Sequence, residues 1–269
     1  MAANGGSYET ILYRVEDGIA FLTLNRPEAL NALNRQMTRE IIAACQAMNE
    51  DPEVRVAIVS GAGDRAFSAG ADLKERAATT GGPIEARAVR VRPGIAQHHR
   101  AIAAVDRPTI AAIQGYAVGG GLEIALACDL RIAAEDAKLG LMEVRRGIIP
   151  GAGGTQRLTR LVGKGHALQL ALTGEPIDAQ QAYRIGLVNA VVSRAELMDA
   201  ALALAQKIAR NAPIATRFVK EAINKGLDLP LDDGLRLEAD LSALISTTED
   251  AREGPRAFAE KREPVWQGR

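Results

Sequence analysis

Short apolar stretches rich in β-prone residues occupy positions 10–15 and 19–24, parted by Glu16-Asp17-Gly18. An acidic residue and Asp-Gly between two such stretches predict a β-hairpin. Arg26-Pro27 ends the second strand. The spacing then changes: Leu33, Met37, Ile41, Ala44, Cys45 and Met48 fall on one face of a helix across residues 31–48. Asp51-Pro52 stops that helix. The apolar run at 54–60 predicts a buried strand, closed by Gly61-Ala62-Gly63-Asp64.

After residue 100 the rhythm returns. A helical pattern at 102–105 stops at Arg107-Pro108, and 109–114 read as a strand. Residues 115–117 lead into three glycines and an apolar helix, and 130–134 form another strand. Strands alternating with helices this densely predict an α/β fold. Two short strands per helix suggest a repeating ββα unit, although the letters show no fixed-period repeat. From residue 193 onward the pattern is helical: 195–210, 213–225, 233–246 and 249–261, with Pro213 and Pro230 at helix starts or loops. This region is a helical cap or a subunit interface.

Composition narrows the class. The 269 residues are 47% hydrophobic and 25% charged, with Lys+Arg 33 balancing Asp+Glu 33. Such a neutral chain has no global attraction to nucleic acid or anionic membrane. Cys45 and Cys128 both lie in apolar helical patterns and read as buried free thiols, which suits a reducing, cytoplasmic setting. The N-terminal residues lack a basic segment followed by an apolar run, so secretory targeting is not expected. No apolar run approaches the ~20 residues a spanning helix requires.

Four places carry candidate chemistry. The first is 66–73, Ala-Phe-Ser-Ala-Gly-Ala-Asp-Leu, after a buried strand. Its small side chains would admit a ligand to backbone N–H groups, or it is a tight loop with Asp72 capping a helix. The second, Gly119-Gly120-Gly121, offers bare N–H groups at a helix start, or merely close packing. The dinucleotide and P-loop fingerprints both fail; Lys164 is followed by Gly165, not Ser or Thr.

The third is Glu123. An acid in a first helical turn suits the dipole, yet Leu122, Ile124, Ala125, Leu126 and Ala127 leave it no solvent face, as in a buried helix. The fourth, Glu143, reads in isolation as a surface residue near Arg145 and Arg146, just before the glycine-rich segment at 150–154. His98, His99 and His166 lack metal-ligand spacing. The basic run with Arg87, Arg90, Arg92, His98, His99 and Arg100 reads as a solvated helix face, because it has no aromatic residues for base stacking.

Together, several stretches closely resemble the enoyl-CoA hydratase/isomerase (crotonase) superfamily. They are Asn25-Arg26-Pro27 with Asn31-Ala32-Leu33-Asn34, then 66–72, Gly119 to Glu123, Glu143, 150–158, and the tail Ala257-Phe258-Ala259-Glu260-Lys261-Arg262. Each is weak alone; in family order over nearly the whole chain they are specific. The resemblance implies a crotonase-like spiral of ββα units over residues 1–195, carrying the acyl-CoA site. It also implies a helical region at 196–269 that builds trimers, or hexamers as dimers of trimers, and contributes to the CoA site.

It further implies acyl-CoA thioesters as substrates, as in fatty acid metabolism, and no metal or redox cofactor. The backbone N–H groups of Ala71 and Gly120 would form the oxyanion hole. Glu123 and Glu143 would be the catalytic carboxylates, and Gly151 would help to place a water. Arg26, Ala69, Lys74 and Lys261 match CoA-binding positions, Lys261 reaching a neighbouring subunit in some members. Glu28 stands where many relatives carry a basic residue. Isomerases of the family commonly keep only the second carboxylate, so two imply hydration of a trans-2-enoyl-CoA to a 3-hydroxyacyl-CoA. The alternatives are a hydratase or dehydratase of a branched or carboxylated acyl-CoA, and an RNA-binding relative of the same fold. Neutral charge and missing aromatic interleaving argue against the last.

Overall fold

The structure, a computed structural model, describes residues 8–79 and 97–269. Strands β1 (Ile11–Glu16) and β2 (Ile19–Leu24) form the hairpin, with Glu16 paired to Ile19. Its turn residues Asp17 and Gly18 have φ of 50° and 75°, the left-handed geometry a two-residue hairpin needs and Asp-Gly tolerates. Helix α1 (Arg35–Glu50) follows, capped by Asn34, whose side chain accepts the Met37 N–H. The helix expected from residue 31 therefore starts at Arg35. Asn31 is fully buried with φ 54° and holds neighbouring loops instead.

The chain continues as β3 (Val56–Gly61), β4 (Ala66–Ser68), α2 (Leu73–Thr79) and α3 (Gln97–Ala103). Next come β5 (Thr109–Ile113), β6 (Tyr116–Val118), α4 (Gly120–Ala127), β7 (Leu130–Ala134) and β8 (Lys138–Gly140). A 3-10 turn at Glu143–Arg146 precedes α5 (Gly154–Thr173), then β9 (Ile177–Asp178), α6 (Ala179–Arg184) and β10 (Ala190–Val192). One sheet runs β1-β2-β3-β5-β7-β10 and the other β4-β6-β8-β9. The pairs β3–β4, β5–β6 and β7–β8 each send their first strand to one sheet and their second to the other, then lead into helix. This is the ββα repeat in three dimensions. Strands of the smaller sheet span two or three residues, too few to show a period in sequence.

Strand alternation divides the core. Ala57, Val59, Ala111 and Ile113 face one cluster with α1 and α4, while Val56, Ile58, Ile110 and Ala112 face the other. The second is covered by α7 (Leu197–Ala209) through Leu197, Ala201 and Ala205. The first helix of the C-terminal region thus shares the core. Helices α8 (Pro213–Gly226), α9 (Leu231–Ile245) and α10 (Glu249–Ala259) lie outside it. Helix α8 buries no residue. It is fastened by Lys220, whose Nζ donates to Asp129 at 2.7 Å and to the Arg107 carbonyl at 2.9 Å. Cys45 and Cys128 are free and buried, as expected. Among the described residues, no helix is long and apolar enough to cross a membrane.

Candidate active site

Strands β4, β6 and β8 run parallel, with β6 in the middle. The segments leaving their carboxyl ends consequently emerge side by side, at the edge where α/β sheets bind ligands. From β4 comes Ala69 to Asp72, from β6 the glycines and α4, and from β8 the turn bearing Glu143.

Gly70 has φ 85°, and a Cβ there would stand 2.8 Å from the Val118 carbonyl and 2.9 Å from the Gly120 nitrogen. A Cβ on Gly120 would stand 3.5 Å from the Ala71 nitrogen. Bare backbone is what lets the two loops meet. Among the described residues, neither the Ala71 nor the Gly120 N–H has a protein acceptor. Gly120 is also the first residue of α4, where the helix dipole favours negative charge.

Asn31 and Ser68, neither singled out in the sequence, brace these loops. The Asn31 side chain accepts the Arg26 N–H at 2.9 Å and donates to the Ala62 and Ala66 carbonyls, each at 2.9 Å. The Ser68 hydroxyl donates to the Asn31 carbonyl at 2.8 Å and accepts the Gly70 N–H at 3.2 Å. Asp72 takes the capping role: it accepts the Lys74 and Glu75 N–H groups at 3.1 and 3.2 Å. It also accepts Arg26 Nη1 at 2.9 Å, which holds its carboxyl below the usual range. The 66–73 segment is thus both a capped loop and a bearer of bare N–H groups.

Glu123 is 3% exposed, and every residue from Gly121 to Ala127 is buried. Its Oε1 accepts the Ala152 N–H at 2.7 Å and the Gly154 N–H at 2.8 Å. Burial pushes its carboxyl above the ordinary glutamate range, while those two N–H groups and the Arg157 charge oppose the rise. Arg157 Nη1 donates to the Ala152 carbonyl at 3.0 Å, pinning the loop that holds Glu123. Sequence reasoning missed Ala152, Gly154 and Arg157. The available signal was Pro-Gly-Ala-Gly-Gly opening α5, whose first N–H groups must find acceptors.

Glu143 is not the surface residue its neighbours suggested. It is 9% exposed, and among the described residues its Oε2 is buried without a protein partner. Buried polar atoms are ordinarily bonded, so this oxygen is one a substrate can use. A Cβ on Gly119 would stand 3.3 Å from Glu143 Oε1, which puts the carboxyl against the bare glycine turn. Burial raises its pKa, and the neighbouring Glu123 charge adds to the rise.

The remaining expected positions are scattered. Gly151 is exposed and precedes the two amides that hold Glu123. Ala69 is half-buried, its N–H on the Leu30 carbonyl at 2.9 Å. Lys74 is exposed in the first turn of α2. Arg26 Nη1 is committed to Asp72 and, at 2.7 Å, to the Ala32 carbonyl. Lys261 is exposed just beyond α10, with φ 54°, and Glu28 is exposed beside Pro27. The solvated-face reading fails at His99, which is 2% exposed with Nε2 3.1 Å from the Gly120 carbonyl. Arg87, Arg90 and Arg92 lie outside the described residues.

Comparison with known proteins agrees with this arrangement. The model of the enoyl-CoA hydratase/isomerase family matches residues 14–269. The crotonyl-CoA hydratase of Syntrophomonas wolfei is 44% identical over 257 residues, 95% of this chain and 97% of its own. The (E)-benzylidenesuccinyl-CoA hydratase of Thauera aromatica is 42% identical over 258 residues, 96% of this chain and 99% of its own. The crystal structure of enoyl-CoA hydratase from Bacillus anthracis superposes with a TM-score of 0.91 at 43% identity, covering 97% of this chain and 100% of that one. With the fold, the strand-end loops and the two buried carboxyls in place, the chain belongs to the enoyl-CoA hydratase/isomerase family.

Proposed function

We propose that the protein is an enoyl-CoA hydratase, adding water reversibly to a trans-2-enoyl-CoA to give a 3-hydroxyacyl-CoA. One observation carries the reading: two unclaimed N–H groups meet two buried carboxyls at the ends of three parallel strands. Glu123, fixed by the Ala152 and Gly154 amides, takes a proton from water as its oxygen bonds to C3. The π electrons move onto the thioester oxygen, where the Ala71 and Gly120 N–H groups hold the developing charge. One such donor is worth about 3 kcal/mol in a dry site. Glu143, whose burial and neighbour favour the protonated form, gives its proton to C2 as the carbonyl re-forms. The two carboxyls share the exchanged proton and titrate as a pair. Gly151 helps to place the water. These steps use no metal or redox cofactor.

Ala69, on the loop carrying Ala71, and Lys74, in the first turn of the helix that follows it, line the CoA path, and Arg26 braces that loop through Asp72. Lys261 contributes from the C-terminal region, across a subunit boundary. Exposed apolar residues on α8, at its C-cap and on α9, among them Val219, Ile223, Leu227, Leu231, Leu235 and Leu244, support a trimer or a hexamer. The buried unpaired cysteines suit the cytoplasm. A second reading, a carboxylated acyl group on the same carboxyl pair, draws support from the benzylidenesuccinyl-CoA relative.

The test is a panel of straight, branched and carboxylated enoyl-CoAs, followed by loss of conjugated-enone absorbance. Hydration of crotonyl-CoA or longer straight chains is expected. Turnover of the carboxylated substrates alone selects the second reading, and an inert panel ends both.

A further inference from the structure

Helix α4 starts at Gly120 with Gly119 as its cap, so side chains take hold of the first turn only from Leu122 and Glu123 onward. Gly121 is packed against Ser68, where a Cβ would overlap the Ser68 carbonyl. A Cβ on the bare face of Gly120 would stand 3.1 Å from the Leu33 side chain and 3.5 Å from the Ala71 nitrogen and the Gly70 Cα. The Gly119 carbonyl, which shares a peptide with the Gly120 N–H, accepts the Glu123 N–H at 3.0 Å, and the next peptide needs its own grip at the Gly120 oxygen. His99, on α3, supplies that grip. Its Nε2 lies 3.1 Å from the Gly120 carbonyl oxygen.

A carbonyl can only accept, so Nε2 carries the hydrogen and Nδ1 does not. Among the described residues that Nδ1 is buried without a protein partner, and His99 is 2% exposed. Burial holds the ring neutral, which suits a single-donor role. The Gly120 carbonyl lies in the first turn of α4 and has a second lone pair for a donor from outside the helix. The His98 ring lies against His99, with centroids 4.0 Å apart and planes tilted by 44°. One contact between α3 and α4 therefore restrains the same residue whose N–H faces the thioester oxygen.

We infer that His99 is a positioning residue for the oxyanion hole: it fixes the peptide that follows Gly120 and, through the shared Gly120 Cα, the setting of the N–H on the preceding peptide. The inference rests on the hydratase reading above and extends it to a side chain that touches no reacting atom. Because it acts on a donor used most strongly in the transition state, its loss lowers kcat more than it raises KM.

The experiment compares wild type, His99→Leu and His99→Gln. Leucine keeps apolar bulk without a donor; glutamine returns an N–H near the former Nε2. Steady-state kinetics are read beside the C=O stretching frequency of a bound enoyl thioester, which hydrogen-bond donors lower. His99→Leu is expected to lose roughly 10- to 100-fold in kcat, the range of a small misplacement, with KM changed by less than about threefold. Its bound carbonyl band should move back toward the free frequency, and His99→Gln should recover much of both. An active wild type matched by His99→Leu in kcat and band position overturns this inference alone. So does a glutamine variant as impaired as leucine in both readouts, which would make the ring mere packing. A wild type without turnover or carbonyl shift overturns the hydratase reading and this inference with it.

Discussion

Gly154 donates its N–H to Glu123 Oε1 at 2.8 Å, and a Cβ on Gly154 would stand 3.0 Å from that same oxygen. The amide grips the carboxyl because no side chain intervenes. Pro150 and Leu141 close the rest of the space, with carbons 2.9 and 3.0 Å from the same point. Gly154→Ala is therefore expected to displace Glu123 and crowd the helix start. The overpacking should lower stability by about 1–3 kcal/mol, with kcat down roughly 10-fold or more. Thermal melts and kinetics check it; unchanged kcat would show that Glu123 tolerates displacement.

Glu123→Gln and Glu143→Gln should each reduce kcat by roughly 10²–10⁴, the usual yield of a positioned acid or base. KM should move far less. The double variant should be little worse than the weaker single one, because the two carboxyls act as a unit. A near-wild-type rate in either single variant removes that residue from the mechanism.

Glu143 makes stability depend on pH in a direction fixed by its raised pKa. Between the ordinary glutamate value of 4.5 and its higher folded value, the native state binds more protons than the unfolded chain. Stability from this group is full below that interval and falls as pH rises through it. Glu143→Gln removes a group that ionises more readily in the unfolded chain than in its buried site, so its melting temperature at pH 7 should equal or exceed that of wild type. The difference should shrink toward pH 4. A variant less stable than wild type at pH 7 would mean that the carboxylate is held favourably.

For catalysis, one carboxyl must be ionised and one protonated. Because both pKa values lie above 4.5, a bell-shaped kcat/KM profile is expected with its acid limb above that pH. Glu143→Gln should abolish the alkaline limb of the residual activity. A profile flat from pH 4 to 9 in wild type would exclude the pair.

Gly70→Ala tests the meeting of the two loops. With φ 85° and a Cβ 2.9 Å from the Gly120 nitrogen, the substitution must push Ala71 away from Gly120. Loss of roughly 10²-fold or more in kcat is expected, in line with removal of one oxyanion donor. Retained kcat would show that the two N–H groups do not act together.

Association should depend on α8. Ile223 and Leu227 are 58% and 73% exposed, although apolar. Sedimentation should give a trimer or hexamer for wild type, and smaller species for an Ile223→Glu, Leu227→Glu double variant. A wild type that sediments as a monomer would leave this surface to another partner.

The larger elements were legible because their causes are local. Asp17-Gly18 specifies a hairpin turn, the spacing from Leu33 to Met48 a helix, and the apolar run at 54–60 a strand. Helix α1 starts at Arg35 because Asn34 caps it, while Asn31 takes buried partners across three loops, a choice invisible in a linear pattern. Of the smaller sheet the sequence offered only the hint of two short strands per helix, not which residues form it or that they pair apart from the larger sheet. His99 was read with its charged neighbours, although α3 turns it inward toward Gly120.

By itself the sequence determined an α/β chain of ββα units with a helical end, and its motifs marked Ala71, Gly120, Glu123 and Glu143. Helical and strand periods are short-range properties, and family motifs survive in one dimension. Only the tertiary structure decided that Glu123 is gripped by Ala152 and Gly154, that Glu143 is buried, and that Gly70 brings two loops into contact. Those relations come from the parallel pairing of β4, β6 and β8, whose hydrogen bonds join residues far apart in the chain. Strands of three residues carry no period to announce them, and a carboxyl's environment is set by whatever the fold packs around it.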